Sequence, residues 1–395
     1  MRKLFIFIFI SLWTIGNATA ERLSDKAQVS LLTCGKGNEL YAQFGHTAIR
    51  VSDPALDIDV VYNYGMFNFN TPNFYMKFVK GLTDYQLGID FTVDFVMRYR
   101  EREIPVWEQT LNLTQEGKQQ IFDALMTNYL PENRFYRYNF IYDNCATRPR
   151  DMIEQVFGGQ IDYRSEHPET ETFRDLIGQY VGKDSWEKFG IDFLIGSPAD
   201  VVATPRERMF LPIELMNYLQ IARQSNGTAV VTEKTTVVDL PEKETDTPYL
   251  SPLLVSFLFM IVVFLLSFFF SSRRLLWLDM LLFSAAGILG VILFYLANFS
   301  LHPLVSPNYN LLWIQPLHLL FVLLLPFRRL YKILVWYQIL NALAILLALS
   351  GFLFLPQKFN LAFLPLMLAI LIRAIQFIRL QELFTHLQDE KDLNN

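Results

Sequence analysis

Apolar residues are concentrated in the second half of the 395-residue chain. From Tyr249 onward, five apolar segments follow one another, and each is about long enough to cross a bilayer core of roughly 30 Å. They comprise residues 250–270, 275–298, 310–327, 333–355 and 360–378. This pattern predicts an all-α polytopic membrane domain of about five transmembrane helices at residues 249–380, followed by a cytoplasmic tail at residues 381–395.

The pattern before residue 249 predicts an α+β domain instead. "HTAIRVSD" and "DVVYNYG" are β-prone runs joined by a turn-rich stretch, which indicates a hairpin whose first strand begins at His46. "FTVDFVMRYR" and "REIPVWEQTLNL" are interpreted as further strands, the second at a sheet edge because it contains Pro105. Helices are predicted after Thr114 and over "ATRPRDMIEQVF".

The amino terminus is typical of a secretory signal peptide. Basic residues precede an apolar run from Leu4 to Ile15, and Ala18 and Ala20 form the small-residue pattern of a cleavage site. Residues 1–20 are therefore predicted to be removed after export, with a retained anchor helix as the alternative. Residues 21–225 then form the exported domain, and residues 226–248, rich in Thr, Glu and Lys, form a linker to the first span.

The charges of the loops predict the orientation in the membrane. Basic residues follow the first, third and fifth apolar segments, at positions 273, 274, 328, 329, 332, 373 and 379. The opposite loops, "NFSLHPLVSPNYN" and "LPQKF", carry only Lys358. Because basic loops stay in the cytoplasm, residues 21–248 are placed outside, in agreement with the signal peptide.

The chain contains only two cysteines, Cys34 and Cys145. Cys145 lies between the aromatic, extended stretch "RYNFIYDN" and the predicted helix that Gly158 and Gly159 end. Unpaired backbone N–H groups at a helix start favour a thiolate, as do Arg148 and Arg150 nearby. Cys145 is therefore a candidate nucleophile.

A cysteine nucleophile needs a base, and histidine is the side chain whose pKa lies near working pH. The exported domain offers His46, which lies in an ordered β-prone context beside Gly45, and His167, which lies in a charged loop. His46 is the better candidate, since the missing side chain of Gly45 permits close approach.

Other interpretations of these residues remain open at this point. Cys34 and Cys145 can instead form a structural disulfide after export, or Cys34 can be a small buried apolar residue. The cysteines and histidines lack the paired spacing of zinc ligands, so no metal or other cofactor is expected. The net charge of −5 argues against a nucleic-acid partner.

The sequence resembles a known family. "FGHTAIRV", "VYNYGMFNF", "YNFIYDNCATRPRD" and "GSPADVVATPRERMFLP" look like the periplasmic domain of the Lnb-type bacterial lipoprotein N-acyltransferases. The membrane segment "HPLVSPNYNLLWIQPLHLL" is similar too. The order of His before Cys also resembles permuted papain-like (NlpC-type) folds such as the lecithin:retinol acyltransferase group.

This resemblance implies roles for particular residues. Cys145 matches the nucleophile and His46 the base, and a third polar group on "VVYNYG" orients the imidazole. Asn63 is the preferred third group because its amide oxygen can accept from an imidazole N–H, with Tyr62 and Tyr64 as alternatives. The retinol-acyltransferase group has a second histidine at that place, so the third group departs from its pattern.

The resemblance also implies the reaction and its location. A phospholipid in the bacterial inner membrane donates an acyl chain through a thioester on Cys145, and the α-amine of a diacylated lipoprotein accepts it in the periplasm. The backbone N–H of Cys145 is a candidate oxyanion donor to which the Asn144 side chain adds, and Arg148 is a candidate phosphate contact.

Polar residues in the membrane half form a further candidate site. His302, Asn308, Asn310, Gln315 and His318 cluster around the third apolar segment, where polar groups are costly and often functional. They are interpreted as residues that bind a lipid headgroup or cover the cysteine site, or alternatively as helix caps and turn residues. The aromatic stretch "MFNFNTPNFYMKFVKGLTDY" is a candidate membrane-surface segment, or ordinary core.

Two rival functions fit the same residues. A thiol hydrolase, cutting cell-wall peptide or lipid bonds, keeps the nucleophile and changes the acceptor. A membrane sensor or assembly factor needs no catalysis, and its two cysteines form a structural bond.

Overall fold

The computed structural model describes residues 22–39, 42–67, 72–163, 170–243, 248–271 and 273–393, and their side chains as far as residue 379. The predicted signal peptide, His167 and the side chains of the C-terminal tail lie outside this part. We refer to residues 22–243 as the N-terminal domain and to residues 248–393 as the helical half.

The N-terminal domain is built on an antiparallel sheet. The strands of the domain are β1 (Gln28–Cys34), β2 (His46–Asp53), β3 (Ile58–Met66), β4 (Asp84–Phe91), β5 (Val106–Leu111), β6 (Phe135–Arg137), β7 (Ile161–Asp162), β8 (Arg223–Gln224) and β9 (Val231–Val238). Seven of them form the main sheet, in the spatial order β6-β4-β3-β2-β1-β5-β9, and a small second sheet pairs β7 with β8.

Helices cover the sheet and form the C-terminal half of the chain. The α-helices are α1 (Phe74–Lys80), α2 (Thr92–Glu101), α3 (Gln115–Tyr129), α4 (Thr147–Val156), α5 (Phe173–Val181), α6 (Trp186–Leu194), α7 (Pro205–Arg208), α8 (Pro212–Ile221), α9 (Pro252–Phe269), α10 (Leu276–Phe299), α11 (Leu317–Leu324), α12 (Tyr331–Phe354) and α13 (Phe363–Leu393). Short 3-10 helices lie at Ser197–Asp200, Tyr309–Leu312 and Arg328–Leu330.

Both faces of the sheet are covered, and successive residues of a strand join different cores because their side chains point to opposite sides. Leu31 of β1 packs into a core that α3, α4 and α8 share, whereas its neighbour Leu32 packs into a second core with Phe95 and Tyr99 of α2. The sheet therefore has three helices on one face and α2 on the other.

Several predicted elements are confirmed. β2 and β3 form the hairpin, with His46 as the first residue of β2. The Thr114 side chain caps α3 by accepting from the backbone N–H of Gly117. Cys145 lies two residues before α4, and Gly158 and Gly159 follow that helix with positive φ values of 68° and 69°.

Two strand predictions are wrong. Most of "FTVDFVMRYR" forms α2, because Phe95 and Tyr99, four residues apart, lie on one helical face and bury there. β5 is internal to the sheet, between β1 and β9, so it is no edge strand. Pro105 lies just before β5, so its missing N–H removes no hydrogen bond of the sheet. Its carbonyl still accepts a hydrogen bond from the Gly35 N–H at 2.9 Å.

The stretch "RYNFIYDN" was expected to be extended. Only Arg137 belongs to a strand there, and a turn follows.

The predicted linker at residues 226–248 is wrong over much of its length. Val231–Val238 is the edge strand β9 and pairs with β5 along its length. Its Thr and Val residues favour a strand, while most of its side chains face solvent, which explains why its composition resembled a tether. The polypeptide between the domain and the first long helix is therefore short.

The helical half follows the predicted apolar segments with one difference. Within the described residues of this half, three helical stretches are long and apolar enough to cross a membrane: Pro252–Phe269, Leu276–Phe299 and Arg328–Phe354. The third segment folds as a 3-10 turn followed by the short helix α11, and the fifth begins α13 at Phe363. Pro316 stands directly before α11 and separates it from the 3-10 turn.

The helical half is held to the N-terminal domain by side chains of its loops. Asn308 and Asn310 donate to backbone carbonyls at the end of α6, and the Lys358 ammonium pairs with Asp175 at 2.9 Å. These contacts confirm that both loops predicted to lack basic clusters lie on the same side as the N-terminal domain.

Candidate active site

Asn144 builds the turn that carries Cys145 into α4. Its Oδ1 accepts from the backbone N–H groups of Ala146 (2.8 Å) and Thr147 (2.9 Å), two of the unpaired donors at the helix start. Its Nδ2 donates to the carbonyls of Phe140 (2.7 Å) and Phe210 (2.9 Å). Both amide hydrogens are thus in use, so the prediction that Asn144 adds to an oxyanion site is wrong, and the residue positions Cys145 instead.

The Cys145 sulfur meets two backbone N–H groups, its own and that of Thr47, the residue after His46. Both cysteines are free thiols in the structure, so the expected alternative of a Cys34–Cys145 bond is absent from it. Cys34 is fully buried at the end of β1, where the Tyr99 hydroxyl donates to its sulfur.

Burial decides the charge of Cys145. It raises the pKa of the thiol from 9.0 to about 11, although the two N–H groups oppose the shift. The resting side chain is therefore a neutral thiol at neutral pH. The expectation that the helix start and the neighbouring arginines keep a thiolate there is wrong.

The arginines fail to act on the sulfur because other groups hold them. Arg148 donates to both carboxylate oxygens of Asp143 and lies 3.6 Å over the Tyr136 ring. Arg150 binds Asp151 and a backbone carbonyl. Arg148 also lines a different surface depression from the one that contains Cys145, so the structure does not bring it to the cavity of Cys145.

His46 contacts Asn63 across the hairpin. Its Nε2 lies 3.1 Å from Oδ1 of Asn63, whose side chain is buried. The alternatives Tyr62 and Tyr64 point to the other face of the sheet, where their hydroxyls contact Met126 and Asn128. Strand alternation thus brings Asn63, and neither tyrosine, to the imidazole.

A carboxylate behind Asn63 was missed from the sequence. Asn63 Nδ2 donates to Asp90 Oδ2 at 2.8 Å, and Arg98 pairs with both oxygens of Asp90 at 2.9 and 3.2 Å. Asp90 lies on β4, the strand paired with β3, so a correct strand pairing would have brought Asp90 near Asn63. Arg98 was not placed near Asp90 because residues 91–100 were interpreted as a strand rather than as α2.

This chain of contacts assigns the imidazole tautomer. Because Asp90 holds the amide nitrogen of Asn63, the amide oxygen faces His46, so Nε2 carries the hydrogen and Nδ1 is the basic nitrogen. Burial lowers the pKa of His46 below 6.5, against the raising effect of the Asn63 hydrogen bond. His46 is therefore neutral at pH 7 and able to take a proton.

Gly45 brings β2 close to β1 beside the site. Its φ of 76° is in the left-handed region, and a Cβ there would lie 2.6 Å from the Cys34 carbonyl oxygen. A larger residue would displace the start of β2, where His46 lies.

Cys145 and His46 both line one cavity of about 620 Å³. Its wall is mostly apolar and aromatic, with contributions from Phe44, Phe67, Phe78, Phe140, Phe210 and Ile104. Leu301, His302 and Pro303 complete the wall from the helical half, so the cavity belongs to both parts of the chain.

The predicted lipid-binding residues of the helical half separate into two groups. His302 lines the cavity, and its Nε2 lies 2.6 Å from the Phe78 carbonyl oxygen. Asn308, Asn310 and His318 are buried and hydrogen-bonded to protein groups, and the imidazole of His318 lies between Trp313 and Tyr337. Their polar atoms bind protein partners, as the alternative of a structural role predicts.

Among the residues that the structure describes, no group of three or more His, Cys, Asp or Glu side chains is placed to hold a metal ion. What the site contains is a thiol, a neutral imidazole with an orienting amide, and an apolar cavity. This set can perform acyl transfer through a thioester.

Two family models match the chain. The Lnb N-terminal periplasmic domain matches residues 17–179, and the Lnb transmembrane domain matches residues 242–382. No curated protein and no solved structure matches it. Since the two matches cover most of the sequence in the same order as the two folded parts, the chain belongs to the Lnb family, as a membrane protein with a periplasmic domain followed by a transmembrane domain.

Proposed function

We propose that the protein transfers an acyl chain from a phospholipid to the N-terminal α-amine of a diacylated lipoprotein, through a thioester on Cys145. The observation that carries this proposal is the shared cavity: a nucleophile and base open into an apolar space whose wall includes residues of the transmembrane domain. A site for two membrane-held substrates needs that placement. The proposed location is the bacterial inner membrane, with several membrane passes.

The first half-reaction begins from the neutral pair. As the Cys145 sulfur attacks the ester carbonyl carbon of the phospholipid, Nδ1 of His46 takes the thiol proton. The backbone N–H groups of Cys145 and Thr47, which already meet the sulfur, are placed to stabilise the negative charge that develops on the carbonyl oxygen. The ester C–O bond then breaks, and His46 returns the proton to the departing lysophospholipid oxygen.

Asn63 supports this proton movement. Its oxygen accepts from Nε2–H and so keeps Nδ1 free for the thiol, and the same bond strengthens when the imidazole becomes positive. Asp90 acts one step further away by holding the amide in the required orientation.

The second half-reaction exchanges the acyl group. The amine nitrogen of the lipoprotein attacks the thioester carbon, the C–S bond breaks, and the amide forms. His46 removes a proton from the attacking nitrogen, and the leaving sulfur recovers one, so the enzyme returns to its starting state. The apolar wall excludes water, which favours the amine over hydrolysis.

The rival functions are less well supported. A thiol hydrolase would use the same two residues, but the wall supplied by Leu301–Pro303 favours a lipid over a cell-wall substrate. A sensor or assembly factor with a structural disulfide lacks its bond in this structure.

Mass analysis of a lipoprotein N-terminal peptide tests the proposal. In cells lacking the protein, we expect wild type to restore one amide-linked acyl chain and Cys145→Ala to leave a free amine. Cys34→Ala is the matched control, because it removes the other thiol. Equal lipid content with wild type and Cys145→Ala would refute acyl transfer, and release of free fatty acid without acceptor modification would favour the hydrolase.

A further inference from the structure

Helix α1 presents apolar side chains to the outside of the N-terminal domain. Phe74 is buried, whereas Tyr75, Met76 and Val79 are 75%, 57% and 38% exposed. A cluster of large exposed apolar residues on one short helix needs an apolar partner. We call these three side chains the outer face of α1.

The end of α1 is fastened to the helical half. The Leu301 N–H donates to the Lys80 carbonyl at 3.0 Å, and His302 Nε2 lies 2.6 Å from the Phe78 carbonyl oxygen. Leu301 follows α10, one of the long apolar helices, and Phe299 at its end is 64% exposed. The outer face of α1 therefore lies beside the end of one of the long apolar helices.

The same helix also walls the cavity. Phe78 lines the cavity together with Leu301 and His302, yet it is 49% exposed. Its ring stacks on Phe74 at 6.3 Å and meets the edge of His302 at 5.7 Å. Phe78 thus lies where the cavity meets the outside, next to the outer face of α1.

The charge of α1 suits a phospholipid surface. Its last turn carries Lys77 and Lys80, and its first turn has no acidic residue. Lysines beside exposed aromatic and aliphatic side chains are typical of helices that lie in the headgroup region.

We propose that the outer face of α1 lies in the headgroup region of the bilayer, and that α1 with Leu301–Pro303 forms an entrance through which a lipid acyl chain passes into the cavity. We infer the membrane contact from the exposed apolar side chains of α1 and from its hydrogen bonds to Leu301 and His302, which follow α10. The passage of an acyl chain rests on the proposed function.

Fluorescence quenching tests the membrane contact. In the full chain carrying Cys145→Ala, Met76→Cys is labelled with an environment-sensitive fluorophore, since Cys34 is buried. The protein is reconstituted in vesicles of phosphatidylcholine and phosphatidylglycerol with and without a doxyl-labelled phospholipid. Val93→Cys on α2 is the control, because it is 67% exposed and its helix packs on β3, β4 and β9.

We expect the label at position 76 to be quenched several-fold more strongly than the label at position 93. Equal quenching at the two positions would overturn the membrane contact. This readout needs no catalysis, so it is independent of the proposed function.

A charge on the outer face tests the passage. Met76→Asp should lower acyl transfer from vesicle phospholipid at least 10-fold, while acylation of Cys145 by a water-soluble short-chain thioester stays within 2-fold of wild type. Val93→Asp should change neither rate. Unchanged transfer from vesicles by Met76→Asp would overturn the passage, whereas failure of the soluble thioester to acylate Cys145 in wild type would instead refute the proposed function.

Discussion

Replacing Asp90 by asparagine removes the charge that orients Asn63 toward His46. In the structure, the Asn63 amide donates to Asp90 at 2.8 Å, and its oxygen lies 3.1 Å from the imidazole. A hydrogen bond to a charged group contributes about 1.5–3 kcal/mol and a neutral one about 0.5–1.5 kcal/mol. The change therefore costs roughly 1–2 kcal/mol of orientation, which corresponds to about a 5- to 30-fold lower kcat/KM.

The assay is acyl transfer from vesicle phospholipid to a lipopeptide acceptor, measured against pH. We expect Asp90→Asn to lower kcat with little change in KM, because Asp90 contacts no substrate. The carboxylate raises the pKa of His46, so its loss should lower that pKa and move the acid limb of the kcat/KM profile to lower pH. A purely structural role would reduce the amount of active protein without moving the acid limb.

Asp59→Asn is the matched control. Asp59 lies on the neighbouring strand β3 and pairs with Arg50 at 2.7 Å, but its contacts do not reach His46. We expect this variant to keep the wild-type kcat and pH profile. Equal kcat/KM values for the two variants, with the acid limb in the same place, would refute the positioning role of Asp90.

Three further outcomes are expected. Because burial raises the pKa of Cys145 to about 11, iodoacetamide should alkylate it at pH 8 roughly 100-fold more slowly than a thiol of pKa 9.0. The alkylation rate should rise toward pH 11, and a plateau below pH 8 would instead show a stabilised thiolate. Transfer should remain active below pH 6.5, since the lowered pKa keeps His46 neutral there, and a rate that falls by half at or above pH 6.5 would contradict the assigned burial effect. Gly196→Ala should lower the thermal midpoint of the full chain by several degrees, because the added Cβ would lie 2.0 Å from the Pro307 carbonyl oxygen. Gly190→Ala is the control and should leave the midpoint unchanged, since nothing lies within 4 Å of its Cβ. Equal midpoints for the two variants would show that the close approach of Gly196 to Pro307 is not needed for stability.

The local elements of the site were predictable because their signals are local. The hairpin that begins at His46, the turn between its two strands and the helix after Cys145 depend on strand alternation, turn residues and glycines within a few positions. The resemblance pointed to the segment "VVYNYG", and Asn63 was preferred within it because an amide oxygen can accept from an imidazole N–H; the structure places Asn63 beside His46. The catalytic roles of these residues remain proposals.

The charge state of Cys145 was predicted wrongly because it depends on burial. A helix start and two nearby arginines are visible in the sequence, but the packing that removes water from the sulfur is not. Arg148 could not be assigned either, because its partner Asp143 and the Tyr136 ring compete for it only in the folded chain.

The sequence by itself determined that the chain has an α+β part and a helical membrane part, and it pointed to Cys145 and His46, which line one cavity in the structure. The two parts follow from hydrophobic length and periodicity and the two residues from their chemistry, and each can be evaluated locally. Tertiary structure alone decided that β9 completes the sheet, that Asp90 supports Asn63, and that Leu301–Pro303 wall the cavity. These contacts join residues far apart in the chain, and their energy depends on which groups are buried together, which no local pattern records.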